Sequence, residues 1–243
     1  MRLAAIVMSS MLLTSAPAAA GGPVKLFAAG SLKAALSDVT TAFQEASNTA
    51  IASEFGASGL LREKIENGAE ADVFASANMA HPQALAKAGR GGAVTRFAGN
   101  LLCALARPGL DVTTATLLDV MLRDDVKLGT STPGADPSGD YAFALFAKAE
   151  QMKPGAQAAL ERKALTLTGG KDSARPPEGR NAYAWVVDGG QADIFLTYCT
   201  NVVLAKKRSA RPAAHRSTGG ACRGCRLRPH RPERCTEGSL SAG

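Results

Sequence analysis

Val24-Lys25-Leu26-Phe27-Ala28-Ala29-Gly30-Ser31-Leu32, followed by an amphipathic run to Phe43, is the stretch that decides the fold. A short apolar strand breaks on a glycine and re-enters a helix through a serine. Such a turn gathers free backbone N–H groups, the positive end of a helix dipole and a hydroxyl at one point. That combination is a seat for an anion. Outward from it, strand-like and helical runs alternate: Val24 to Ala28 then Ser31 to Ala46, Ala50 to Phe55 then Ser58 to Glu66, Asp72 to Ala75 then His81 to Ala88. The rhythm predicts a mainly parallel sheet flanked by helices, with ligands collecting at the strand C-terminal ends.

A hydrophobic strand over Asn100 to Arg107 stops at Pro108-Gly109, and a second alternation begins. Helices are expected over Thr116 to Leu122, Tyr141 to Met152 and Asn181 to Asp188, with strands over Val126 to Gly129 and Asp193 to Tyr198. Two α/β units joined in this way make a two-lobed shape, and the cleft between them is the natural binding site. Phe55-Gly56-Ala57-Ser58-Gly59-Leu60 repeats the first seat, with Ser58 as the expected N-cap. The polar turn Thr130 to Asp140, ahead of an apolar helix, is the facing jaw. One serine before a helix is ordinarily only a cap. Three glycine-bearing turns at successive strand ends point to a ligand instead. Tyr198, ending its strand, is placed either to fill the core or to donate into the cleft.

The first twenty residues read as an export signal: Met1-Arg2 is the positive start, Leu3 to Leu13 the apolar stretch and Ala18-Ala19-Ala20 the cleavage site before Gly21. The apolar stretch is too short to span a bilayer, which takes about 20 residues. The net charge of +7 suggests a polyanionic partner until the charges are located. Ten of the 28 basic residues, but only two of the 21 acidic ones, lie beyond Ala205, so the remainder is near neutral. Lys206 to Gly243 is rich in Arg, Pro, Gly and Cys, is expected to be disordered, and has the character of translation in another reading frame. A basic arm for lipid or nucleic acid is the competing reading, but no aromatic residue or periodicity accompanies it. Cys222-Arg-Gly-Cys225, with Cys235 and His230, lacks the spacing of a structural zinc site. Cys103 and Cys199, in apolar strand-like runs, are expected to behave as small free hydrophobes.

The stretches FAAGSLKAAL (27–36), SEFGASGLLREKIENGAEADVFASAN (53–78), DPSGDYAFALF (136–146), PPEGRNAYAW (176–185) and ADIFLTYCTN (192–201) resemble the periplasmic molybdate-binding proteins of ABC importers. These belong to the two-lobed periplasmic binding-protein superfamily, and the resemblance covers Val24 to Val203. It implies an α/β receptor with a mainly parallel sheet in each lobe, closing over a tetrahedral oxyanion held by hydroxyls and amides. Residue by residue it implies ligand contacts from Ser31, Ser58, Ser138, Gly179 and Tyr198. Ser138 replaces the Ala usual in better-known members, and the PPEGRN segment departs from their shorter form.

The resemblance also implies a monomer with no cofactor, no metal cation and no nucleic-acid partner, serving a membrane permease of an ABC importer from the periplasm. The expected organisation is a signal over 1–20, lobe 1 over 21–105, lobe 2 over 106–198, the start of a return to lobe 1 over 199–205 and the basic tail over 206–243. Seats offering donors and no acceptor would favour fully deprotonated molybdate or tungstate over hydrogen phosphate. A sulfate receptor or a truncated, non-binding remnant is the alternative. An enzyme built on Ser31 or Ser58 with His81 and Asp72 has little support, because neither serine sits in a GxSxG elbow.

Overall fold

The structure is a computed structural model and describes residues 22–209, with side chains described to 206. The export signal and most of the basic tail lie outside the described residues. β1 (Val24–Ala29) leads through a 3₁₀ turn at Gly30–Leu32 into α1 (Lys33–Ser47), which ends on Asn48 in the left-handed conformation (φ 53°). β2 (Ile51–Gly56), α2 (Ser58–Glu66), β3 (Val73–Ala75) and α3 (Ala80–Lys87) complete the first unit. Its three-stranded sheet has the order β2-β1-β3, all parallel, as the alternating pattern demands.

After an irregular segment come β4 (Leu102–Ala106), α4 (Leu117–Leu122), β5 (Leu128–Ser131) and α5 (Pro137–Met152). α6 (Ala156–Lys163), β6 (Ala164–Thr168), α7 (Ala182–Asp188), β7 (Ile194–Tyr198) and α8 (Cys199–Ser209) follow. The second sheet runs β4-β7-β5-β6; β5 is parallel to both neighbours and β4 is antiparallel to β7. α5 starts at Pro137, ahead of the expected Tyr141, because Asp136 accepts from the Ser138 N–H and Pro137 suits the first helical position. Phe146, Leu160, Leu128, Ile194 and Leu196 fill one face of this sheet, and Val186, Val187, Phe195, Val202 and Ala205 the other. Among the described residues no helix is long and apolar enough to cross a membrane.

The structure corrects several expectations. Cys103 and Cys199 are not free hydrophobes but a disulfide, with Cα atoms 4.8 Å apart and 96 residues between them in sequence. The antiparallel register sets Cys103 opposite Thr197, and Cys199, two residues further on, opens α8 with its N–H on the Leu101 carbonyl. No strand register was available from the sequence to bring the two thiols together.

β4 belongs to the second sheet, although a boundary at 105 assigns it to the first lobe. The segment 199–205 packs Val202 and Ala205 into the second unit's core instead of starting a return to the first, and its helix continues through Lys206 to Ser209. α6 and β6 were not anticipated. Ser58 does not cap α2: Ala57 occupies the N-cap position and Ser58 is the first helical residue.

Candidate functional site

The C-terminal ends of β1, β2 and β3 face the C-terminal ends of β5, β6 and β7 across a small cavity of about 170 Å³. From the first unit come Gly30 and Ser31 after β1, Gly56, Ala57 and Ser58 after β2, and Ala77 after β3. From the second come Asp136, Thr168, Gly169, Ala182, Tyr183, Tyr198 and Asn201. Pockets for drug-sized ligands run to about 300–1,000 Å³, so this volume suits a small ion. A groove of about 1890 Å³ beside β3 and β4 is larger, but Val73, Phe97, Leu101 and Met152 are among its walls and it gathers no set of strand-end turns.

Two hydrogen bonds join the units beside the cavity. The Gly59 N–H, in the first turn of α2, donates to the Ala135 carbonyl at 2.7 Å, and the Tyr198 hydroxyl donates to the Ala77 carbonyl at 3.2 Å. A Cβ on Gly59 would lie 2.3 Å from the Gly134 carbonyl oxygen, which is why this turn carries glycine.

The expected site residues divide. Ser31, Ser58 and Tyr198 all line the cavity. Ser31 is half-buried, and no hydrogen bond ties its hydroxyl to the described residues. Ser58 is fully buried and its Oγ accepts from the Ala77 N–H at 3.0 Å, so it holds the β3 turn as well as facing the cavity. Burial pushes the Tyr198 phenol up, keeping it a neutral donor.

Ser138 and Gly179 do not line the cavity. The Ser138 hydroxyl donates to Ser131 Oγ at 2.7 Å, which shares a hydrogen bond with Thr168 Oγ1 at 2.9 Å; only Thr168 of this chain reaches the wall. Gly179 sits in an exposed turn at φ 75°, and the helix start that reaches the cavity is Ala182, three residues on. Asn181 caps that helix, accepting from the Tyr183 and Ala184 N–H groups. Arg180 turns away to Asp188 at 3.5 Å on the surface.

Sequence reasoning missed Asp136, Thr168, Gly169 and Asn201. Thr168-Gly169-Gly170 ends the unanticipated β6, and recognising that strand would have exposed another strand-end turn of the same kind. Asp136 is the more consequential omission. Its Oδ1 accepts from the Ser138 N–H at 3.0 Å, its side chain packs against Gly169, and it lines the cavity. The wall therefore includes an acidic residue that the expectation of a donor-only seat left out. Desolvation is the main reason its carboxyl is pushed above the ordinary range, with Asp140 adding to it.

The enzyme set is not assembled. Asp72 Oδ2 accepts from the Lys25 backbone N–H, Ser58 is bound to Ala77, and both ring nitrogens of buried His81 lack a hydrogen-bond partner. Burial, with Arg62 nearby, pushes the His81 imidazole down.

Two α/β units meeting at their strand ends over a small cavity define a two-lobed binding protein. Residues 24–215 match the family of bacterial extracellular solute-binding proteins, and the chain belongs to that family. It is similar to an uncharacterised protein of Pasteurella multocida (strain Pm70), 36% identical over 182 residues, covering 73% of this chain and 74% of that protein. Among solved structures it resembles the periplasmic molybdate-binding protein of Azotobacter vinelandii, with a TM-score of 0.55 and 20% identity over 72% of this chain and 71% of that one. It also resembles the sulfate-binding protein SubI of Mycobacterium tuberculosis H37Rv, with a TM-score of 0.58 and 20% identity over 78% and 69% of the two chains.

Proposed function

We propose that this protein is a periplasmic receptor that captures a tetrahedral oxyanion, molybdate or tungstate, between its two units and delivers it to the membrane permease of an ABC importer. The observation that carries the reading is the small cavity walled by Ser31, Ser58 and Tyr198, with strand-end turns converging from both sheets. Hydroxyls and backbone amides at such turns match a compact anion without a countercation. The quoted motifs, which resemble those of molybdate-binding proteins, support the choice of ion. The disulfide supports export, since such bonds persist in oxidising compartments.

Calorimetric titration of the mature chain with molybdate, tungstate, sulfate and phosphate tests the reading. Molybdate and tungstate should bind more tightly than the other two, and chelator treatment should leave the affinities unchanged. Sulfate binding as tight as molybdate would reassign the ligand. Binding lost on chelation and restored by a divalent cation would show that the anion needs a metal.

A further inference from the structure

Asp136 is out of place in a pocket that selects anions by donors alone. Asp136 lines the cavity together with Ser31 and Ser58 of the other unit, and its carboxyl lies between two neighbours. Oδ1 accepts from the Ser138 N–H at 3.0 Å, and a Cβ on Gly169, itself at φ 77°, would come within 2.7 Å of Oδ2. The side chain is therefore held by its own helix start and lies against the turn after β6, an approach that a glycine at 169 allows.

No ion pair among the described residues neutralises it. The groups around it are either neutral or acidic. Ser131 and Ser138 reach it from β5 and α5, and Asp140 adds negative charge from the next turn of α5. Tyr183 from α7 and Tyr198 from β7, with Tyr141 beside the latter, complete the surroundings, and burial pushes the first two phenols up. Arg62 of α2 and His81 of α3 interact with each other, and His81 with Asp140, but neither pairs with Asp136.

We propose that Asp136 makes anion capture proton-linked: a fully ionised tetrahedral anion enters the pocket together with one proton, which resides on the Asp136 carboxyl and donates to a ligand oxygen. This rests on the oxyanion reading above. The balance is simple. An ionised Asp136, the anion and one proton from solvent give a neutral carboxyl hydrogen-bonded to the anion, and no covalent bond to the ligand is made or broken. With Asp136 ionised, two like charges would face each other in a desolvated cavity, and one of them must be neutralised. Burial already inclines the carboxyl toward its protonated form, and the anion completes the shift. Asp136 is thus both the cap of α5 and the residue that sets the pH range of capture.

The test titrates the wild-type chain and Asp136→Asn with molybdate, and with sulfate as a second fully ionised probe, over a series of pH values on both sides of neutrality. Asparagine keeps the cap and offers an amide donor at the same place. Wild-type affinity should fall by up to about tenfold per pH unit once the free carboxyl is ionised. Calorimetry in buffers of different ionisation enthalpy should then show about one proton taken up per anion. The variant should bind with a flat pH profile and take up no proton. Should the variant not fold, proton uptake by the wild-type chain decides alone. Wild-type binding that is flat with pH and takes up no proton overturns the proposal while leaving the oxyanion reading intact. No binding of either anion at any pH, by a folded chain, overturns that reading and this one with it.

Discussion

Three hydroxyls that face the cavity play unequal parts. Ser58 is bound to the Ala77 N–H and Tyr198 to the Ala77 carbonyl, so removing either disturbs the β3 turn along with the ligand. Ser31 carries no such duty, and Ser31→Ala reports on binding alone. A hydrogen bond to a charged partner contributes about 1.5–3 kcal/mol. Ser31→Ala should therefore weaken oxyanion binding roughly ten- to a hundredfold with little change in melting temperature, read by calorimetry and thermal denaturation on the same samples. Unchanged affinity would remove Ser31 from the site. These three residues were legible because each stands where a predicted strand ends. Asp136 was not, because within a polar turn an aspartate before Pro-Ser-Gly reads only as a helix cap, a role it also fills. What makes it part of the wall is its approach to Gly169, thirty-three residues on and at the end of an unforeseen strand. Ser138 is the complementary case: it lies at the right helix start, but its hydroxyl donates to Ser131 and it is not among the residues lining the cavity.

At the scale of elements, the alternation of apolar strands with amphipathic helices placed β1 to β3, α5 and β7 from sequence, because each has a long or strongly apolar run. β6 is five residues of Ala, Leu and Thr between a charged helix and a Gly-Gly turn, half-exposed over much of its length, and carries too weak a pattern to stand out. The pairing of β4 with β7 is a register, which periodicity does not specify, and the disulfide follows from that register. Linking residues 96 apart restricts the unfolded chain strongly, and removal of such a native bond typically costs about 2–5 kcal/mol. Replacing Cys103 and Cys199 together by alanine should lower the urea midpoint by a corresponding amount, with α8 losing protection first, since it is tied to β4 at Cys199. A midpoint unmoved by the double substitution, or by reduction of the wild-type chain, would show that the bond does not form in solution.

The whole molecule is unevenly built. The second unit packs its sheet on both faces and ties its edge strand β4 to the start of α8 by the disulfide, whereas the buried cluster of the first is Leu26, Ala28 and Ala75 with Leu32, Leu36, Ile51 and Phe55 at its margin. Val39 and Phe43 on α1, Val73 on β3, and Phe97 and Leu101 in the irregular segment are all exposed large apolar residues of the first half. α1 has no buried residue at all, although its sequence is amphipathic. Apolar area removed from water contributes about 25 cal/mol per Å², so the first sheet has much less than the second to set against its conformational entropy. Hydrogen exchange should therefore divide the chain, with amides of β1 to β3 and α1 exchanging through opening of lower free energy than those of β5 and β7. Saturating oxyanion should slow exchange in the first unit more than in the second, because the ligand bridges the strand ends of both and opening of the weaker unit releases it. Uniform protection across the two sheets without ligand would show that they unfold as one body, and a ligand effect confined to the second unit would remove the first from the binding site.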